Sequence, residues 1–427
     1  MWKKNFSLTL VLLITIICSY TAVAEETGRI ERTTVSGMNV ILEKNKSEVA
    51  EITLLLKSGT GIEPENKKGT AYIMNNIVYW MLNDPKSKVG YVDVYTVPDY
   101  TIITLTTLSN DIVPALENIK YLLSEPFYDY DSVQDLKNYF STRAKGLWAL
   151  MKAYSNFNSI YYGANHPYND AFTPETISAI TGVDVYKWYR QTYQPGNAVL
   201  SISGNVDYDI TKLKSFFTDM KTETVNRRLL IQPVNIDEDK TVVLKDPNGM
   251  AASICIGFSA PTIQDPDYPA FKIIEYYLSE YMHYFEELRL KNGLIYSDLI
   301  YYNGYEKPKA PTIIFANTTD PDSVRTLESK TLEILNKLKT EGIEEIELVK
   351  VIKAWKAENE AQESAEKGVS YRNALSFYLN TQLVYYDNLL PKLEQVKTED
   401  IKKVANRYFQ HYIEVIYNPT KIAEDIN

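Results

Sequence analysis

A helical face of the kind that can hold a divalent metal is laid out in the octapeptide Gly69-Thr70-Ala71-Tyr72-Ile73-Met74-Asn75-Asn76, but its residue types are wrong for the task. Positions i, i+3 and i+4 of a helix lie on one side. In the pattern H-x-x-E-H that side carries two imidazoles for the metal and a carboxylate beside them as general base. Here the three places read Tyr72, Asn75 and Asn76. A phenol of pKa about 10 and two neutral amides do not hold a transition metal at pH 7. The three histidines, His166, His283 and His411, are distant from one another and without ligand spacing between them. They read as a turn residue, a helix-surface or interface residue and a surface residue. Cys255 lies in the apolar run Ile254-Cys255-Ile256, where a buried small hydrophobe is expected. No Ser-His-Asp, Cys-His or phosphate-loop pattern is present.

The elements that must position these residues fall into two related halves. Asp184-Val185-Tyr186-Lys187-Trp188-Tyr189 leads through Tyr193-Gln194 to Ala198-Val199-Leu200, and Asp400-Ile401-Lys402-Lys403-Val404-Ala405 leads through Phe409-Gln410 to Glu414-Val415-Ile416. The differences 400 − 184 and 410 − 194 are both 216. Each stretch reads as a short amphipathic helix opened by an acidic residue and followed by a β-branched strand, and a repeat this long means duplicated domains. In the first half, Arg32–Thr34 and Met38–Glu43 predict a hairpin about Ser36-Gly37, Ile52–Lys57 a strand, and Tyr91–Thr96 with Thr101–Thr107 a strand pair across Pro98-Asp99. Thr70–Leu82 predicts a helix burying Ile73, Ile77, Trp80 and Met81. Ile112–Leu123 predicts one burying Leu116, Ile119 and Leu123. A long helical stretch is expected from Ser132 to about Tyr162, and Val199–Ser203 closes the unit. In the second half, strands are expected at Val242–Leu244, Ile254–Phe258, Ile295–Tyr302 and Ile313–Thr318, and helices at Ala270–Leu290, Pro321–Leu338 and Glu344–Lys367. The fold class is therefore α+β: two homologous domains, each a mixed, mostly antiparallel sheet with helices packed on it. The expected divisions are residues 25–225, a polar linker at 226–240 containing Pro233, and residues 241–427.

Length and composition agree with two domains, since 427 residues exceed what one core organises. Residues 1–24 read as a signal peptide: Lys3 and Lys4 precede an apolar run from Leu8 to Cys18, and Ala22-Val23-Ala24 is a small-x-small cleavage site. The run is too short to span a bilayer, and no later segment is apolar enough to act as a stable membrane anchor. Export is expected, to a bacterial periplasm. Loss of the two lysines takes the formal charge from −10 to −12, and an acidic chain without a basic stripe is a poor nucleic-acid binder. Cys18 leaves with the signal, so Cys255 has no partner for an internal disulfide. The 34 tyrosines are unusually many.

In combination, several motifs resemble the pitrilysin/insulinase family of inverted-motif zinc peptidases, and within it the two-domain bacterial branch related to the mitochondrial processing peptidase. They are Gly59-Thr60-Gly61 before Gly69-Thr70-Ala71; His166-Pro167-Tyr168 before Thr173-Pro174-Glu175-Thr176-Ile177; Tyr193-Gln194-Pro195-Gly196-Asn197 before Gly204-Asn205-Val206-Asp207; and Phe285-Glu286-Glu287-Leu288-Arg289 before Gly293-Leu294-Ile295-Tyr296-Ser297. The resemblance spans roughly Arg29 to Pro419. It places the family's first histidine on Tyr72, its glutamate base on Asn75 and its second histidine on Asn76. The third ligand, a glutamate upstream of the His-Pro-Tyr loop, falls near Thr142, and no Asp or Glu occurs between Asp135 and Asp170. No zinc is expected in this chain. A glycine-rich loop of the family is replaced by Tyr277-Leu278-Ser279-Glu280, so a flexible loop is not expected there.

The resemblance implies that Arg289 and Tyr296 survive from a pair that hydrogen-bonds the substrate backbone near the scissile carbonyl and stabilises developing charge. The plainer reading is that Arg289 caps a helix C-terminus and Tyr296 packs in a strand. Together these features imply a non-catalytic subunit of an exported heterodimeric zinc metalloendopeptidase. A homologous partner with an intact H-x-x-E-H would bring the zinc, and extended peptides or unfolded protein would be the substrate. The alternative is a peptide-binding or scaffolding pseudopeptidase with no role in catalysis, in which peptides add to a sheet edge. On either reading the chain alone is inactive as a peptidase.

Overall fold

In the strand Ala198–Gly204 all seven residues are buried, which requires a neighbouring strand on each side and a covering layer on each face. The computed structural model, which describes residues 30–418 apart from 88, 125–129, 146–148, 170, 223–230, 233, 246–250, 282–287, 290–292, 296 and 365–367, supplies both. The first half forms a sheet of β1 (Ile30–Val35), β2 (Met38–Lys44), β3 (Val49–Leu56), β4 (Tyr91–Thr96), β5 (Thr101–Leu108) and β6 (Ala198–Gly204), in the order β1-β2-β6-β3-β5-β4. The second forms a sheet of β7 (Lys240–Lys245), β8 (Ala252–Ser259), β9 (Ser297–Tyr302), β10 (Thr312–Thr319) and β11 (Ile413–Asn418), in the order β7-β11-β8-β10-β9. One pair in each sheet is parallel, β2 with β6 and β7 with β11. The others are antiparallel. Without β1 the two orders coincide strand for strand, so the chain is α+β with two domains of one topology.

The helices repeat in the same way. The first half carries α1 (Thr70–Leu82), α2 (Ile112–Leu122), α3 (Tyr130–Lys145), α4 (Ala149–Tyr162), α5 (Pro174–Ala179), α6 (Gly182–Thr192) and α7 (Ile210–Phe217). The second carries α8 (Tyr268–Tyr276), α9 (Val324–Thr340), α10 (Glu345–Ser364), α11 (Val369–Leu379), α12 (Tyr386–Leu393) and α13 (Thr398–Tyr408). The duplicated acidic residues open α6 and α13 alike: Asp184 accepts the Thr181 N–H at 2.8 Å, and Asp400 the Lys397 N–H at 2.9 Å. The largely helical stretch expected from Ser132 to about Tyr162 holds α3 and α4. The helix expected over Ala270–Leu290 starts at Tyr268 and continues as a π-helical turn over Tyr277–Tyr281, in keeping with the loss of a glycine loop there. The signal peptide, His283 and Tyr296 lie outside the described residues.

Each half lends a helix to the other half's sheet. One face of the first sheet, with Val40, Leu42, Ile52, Leu54, Ile103 and Leu200, packs against its own α1, α2, α6 and α7. The opposite face receives α11 from the second half. Reciprocally, α4 covers the face of the second sheet that shows Cys255, Ile314, Ala316 and Val415. Phe157 of α4 is fully buried there, and an added Cβ at Gly257 would lie 2.2 Å from its ring. The free thiol of Cys255 is buried in this layer, and burial holds it far above its usual range, so it packs as a hydrophobe.

The contact of α11 is polar. The two oxygens of Glu51 accept the N–H groups of Gly368 and Ser370, each at 3.1 Å. Thr53 Oγ1 lies 2.7 Å from Ser370 Oγ, and Asn373 Nδ2 donates to Glu43 at 2.8 Å. A carboxylate on the free N–H groups of a helix N-terminus satisfies donors that the helix cannot. Tyrosines supply much of the remaining junction. Tyr95 donates to Tyr371 at 3.1 Å, Tyr100 to the Tyr305 carbonyl at 2.9 Å, and Tyr162 to the Ala310 carbonyl at 3.1 Å. Tyr168 donates to Asp99 at 3.1 Å and accepts the Lys309 N–H at 3.2 Å. A large apolar ring with one polar tip suits a buried junction that still needs hydrogen bonds, which gives part of the tyrosine excess a structural cause.

One carboxylate is carried into the second core. Glu414 of β11 has no exposed surface; it accepts from Thr241 Oγ1 at 3.0 Å and from Arg325 at 3.5 Å. Burial pushes its carboxyl up to about 7 from 4.5, with Glu328 adding to the rise and Thr241 and Arg325 opposing it. A folded-state value above the unfolded one stabilises the fold at low pH, and that contribution is lost as pH rises through 7. Glu414→Gln is expected to remove a stability loss of about 3 kcal/mol between pH 5 and pH 8. Urea titrations of both proteins at the two pH values check this, and equal slopes would contradict it.

Candidate functional site

The degenerate helix α1 is entered through a glycine whose backbone other residues adopt only under strain. Gly69 has φ +104°, and a Cβ there would lie 2.2 Å from Ile177 Cδ1. The first turn of α1 holds no acidic residue. Its free donors are met instead by Glu63, a buried carboxylate that accepts the Ala71 N–H at 2.6 Å and the Gly69 N–H at 3.2 Å. Thr70 donates to the Lys67 carbonyl at 2.7 Å. Buried Lys68 donates to the Asn169 carbonyl at 2.6 Å. The start of α1 is thus tied to the loop that precedes α5.

Tyr72, Asn75 and Asn76 do lie on one side of α1, and each is already committed to the fold. The Tyr72 ring packs 5.3 Å from Phe172 and 6.3 Å from Phe140, and those two rings are 5.8 Å apart, edge to face. This trio joins α1, α3 and the loop before α5. Asn75 is buried; in the amide orientation that satisfies both groups it donates to the Ala71 carbonyl at 3.2 Å and accepts the Thr96 N–H at 3.1 Å. It therefore fastens α1 to β4, the edge strand of its sheet. Asn76 Nδ2 donates back to the Tyr72 carbonyl at 2.9 Å.

The third ligand was expected near Thr142, which lies on α3. Thr142 is exposed, and its hydroxyl bonds back to the Asn138 carbonyl at 2.9 Å. The α3 ring that packs against Tyr72 is that of Phe140, two places earlier. Trp80 was also expected on the buried side of α1 and is 48 % exposed. The buried stripe runs through Met74, Val78 and Leu82, and a residue two beyond Val78 points the opposite way.

The remaining candidate residues are placed as follows. Arg289 is exposed, next to buried Leu288, and its carbonyl accepts the Gly293 N–H at 3.1 Å in a turn where Gly293 has φ +62°. The guanidinium is thus presented at the surface of the second domain. His166 sits in the expected turn: its Nδ1 accepts the Tyr168 N–H at 3.0 Å, its ring stacks on Tyr162, and burial lowers its pKa, keeping it neutral. His411 is partly exposed beside Asp239 at 3.3 Å. Among the described residues no group of three or more His, Cys, Asp or Glu could hold a metal ion, and the donor set at Tyr72, Asn75 and Asn76 does not fit zinc. Among them, too, no helix is long and apolar enough to cross a membrane. Phe140, Phe172 and Glu63 went unnoticed in the sequence, where nothing marks two phenylalanines 32 positions apart as neighbours.

Residues 179–354 match the family described as Peptidase M16 inactive domain. An uncharacterized zinc protease of Bacillus subtilis, YmxG, is 20 % identical over 411 residues, covering 90 % of this chain and 97 % of that protein. The zinc protease PqqE of Helicobacter pylori is 21 % identical over 439 residues, with 96 % of each covered. A crystal structure of a protease from Helicobacter pylori superposes with a TM-score of 0.79 at 19 % identity, covering 92 % of this chain and 100 % of that one. At that identity the superposition shows a shared fold.

Proposed function

Because the chain belongs to the pitrilysin/insulinase family as a member of its inactive type, we propose that it serves as the non-catalytic subunit of an exported heterodimeric zinc metalloendopeptidase. The observation that carries this reading is that the three places of the metal pattern hold Tyr72, Asn75 and Asn76, with the Tyr72 ring packed against Phe140 and Phe172. On this reading a homologous partner with an intact H-x-x-E-H brings zinc, ligands and base. Arg289 and Tyr296 then complete the partner's site or grip the extended peptide, where preorganised donors stabilise charge developing on the scissile carbonyl. The exposure of Arg289 supports such a reach across an interface.

The test is to purify this chain and a homologue bearing H-x-x-E-H, separately and together, and to measure cleavage of an extended peptide. The mixture is expected to exceed the partner alone, and Arg289→Ala is expected to lower the joint kcat/KM by about a hundredfold, the cost of one oxyanion-type donor. Tyr296→Phe is expected to act in the same direction. A mixture no faster than the partner alone rejects the proposal. The edge position of β4 favours the second reading, in which an extended peptide adds to the sheet and is held without being cut. Peptide binding by the isolated chain with no gain in joint activity would select it.

A further inference from the structure

The internal repeat gives α1 a counterpart in the second half. The succession β8, α8, β9 repeats β3, α1, β4, so α8 with its π-helical continuation Tyr277–Tyr281 stands where α1 stands. α10 packs across it as α3 packs across α1. The third wall comes in each half from the segment that leads into the short helix, with Phe172 before α5 and Tyr385 and Tyr386 at the start of α12. In the first half three rings close this space. In the second half it is open: a cavity of about 330 Å³ lies between α8, α10 and the start of α12. That is the lower end of the range for small-molecule sites.

Charge and aromatic surface in the cavity point to one kind of occupant. Three carboxylates, Glu275, Glu280 and Glu358, and two cations, Lys272 and Arg372, line it. Lys272 is answered by Glu275 at 2.6 Å, which leaves two carboxylates against one guanidinium. Glu280 and Glu358 are exposed; the Tyr276 phenol beside them is raised first by burial, then by its hydrogen bond to Glu358 and by the charges of Glu358 and Glu280. Trp355 and Tyr386 are stacked 5.5 Å apart at 17°, forming an aromatic wall beside them. Carboxylates next to aromatic faces favour an organic cation, through charge-assisted hydrogen bonds and attraction to the ring quadrupole.

We propose that this cavity binds an ammonium or guanidinium group, held by Glu280 and Glu358 against the Trp355–Tyr386 pair. The cation could be a free small amine or a basic side chain of a peptide, and the chemistry of recognition is the same. The site is separate from the degenerate helix and stands whether or not the chain joins a catalytic partner. Calorimetric titration with argininamide, and with a blocked tetrapeptide containing one arginine, tests it on the whole chain. Saturable binding of one equivalent is expected, with no binding of uncharged acetyl-norleucinamide. Glu280→Gln combined with Glu358→Gln is expected to weaken it about tenfold or more. Both positions are exposed, so the variant should fold, and a thermal-shift titration of the unaltered protein gives a second readout. A peptide that binds more tightly than argininamide assigns the cation to a peptide side chain, and equal binding assigns it to the head group alone. The proposal is overturned by no saturation with either probe up to about 10 mM, where weak specific binding still registers, or by unchanged binding in the double variant.

Discussion

Restoring the missing pattern with Tyr72→His, Asn75→Glu and Asn76→His is expected to give a protein that takes up no stoichiometric zinc and has lost about 3 kcal/mol or more of stability. The three changes supply two imidazoles and a base, but a zinc site of this kind needs a third protein ligand. α3, where the sequence count put that ligand, presents Phe140 to Tyr72, and Thr142 is exposed. The substitutions also remove what holds α1 in place. The Tyr72 ring leaves its contacts with Phe140 and Phe172, and Asn75 gives up its bonds to the Ala71 carbonyl and the Thr96 N–H. An ionised glutamate in its place can accept from Thr96 but cannot donate to Ala71, and burying it as the neutral acid removes it as a base. Adding Phe140→Glu to the triple change is expected to raise zinc content, because it places a carboxylate on the facing helix. Metal analysis after dialysis and thermal melts with and without chelator separate these cases. One zinc per chain in the triple variant would show that Phe140 and Phe172 do not keep the metal out.

Glu51→Ala is expected to cost about 3 kcal/mol, a large part of the stability of an ordinary domain. The Glu51 side chain is a double acceptor for the N–H groups that open α11, a helix that belongs to one half and lies on the sheet of the other. Hydrogen bonds to a charged group are worth about 1.5–3 kcal/mol each, and removing the carboxylate leaves two partly buried donors without an acceptor. Glu51→Gln keeps one acceptor oxygen and loses the charge, so a loss of roughly half that size is expected. The Thr53–Ser370 contact at 2.7 Å survives both changes and limits the damage. Urea unfolding followed by far-ultraviolet circular dichroism measures the difference. A loss under about 0.5 kcal/mol, the usual range for an unimportant surface position, would mean that α11 is held in place without the Glu51 bonds.

Several features were legible in the residues themselves. The offset of 216 between Asp184 and Asp400 reappears as two helices with the same acidic cap. The hairpin about Ser36-Gly37, the strand pair across Pro98-Asp99 and the apolar run around Cys255 all became the elements their patterns suggested. Burial was less readable. Trp80 fits a helical spacing from Ile73 and Ile77, which are buried as expected, yet the core face continues through Val78 to Leu82 and leaves Trp80 exposed. The tyrosine excess was visible as a count but had no meaning until the junction between halves showed hydroxyls reaching carbonyls and one another across it.

The lack of a metal-binding set at Tyr72, Asn75 and Asn76 follows from the sequence alone, because whether a side chain can donate electrons to zinc is a property of the residue and not of its surroundings. The duplication and the fold class follow from it too, because periodic burial and turn chemistry act over short stretches of chain. What occupies the vacated space was decided only in three dimensions. Phe140 and Phe172 reach Tyr72 from separate elements, and the corresponding place in the second half stayed open as a charged, aromatic cavity. The crossing of α4 and α11 onto each other's sheets was settled at the same level. Packing is a contest among residues far apart in sequence, and its outcome depends on shapes that no local pattern encodes.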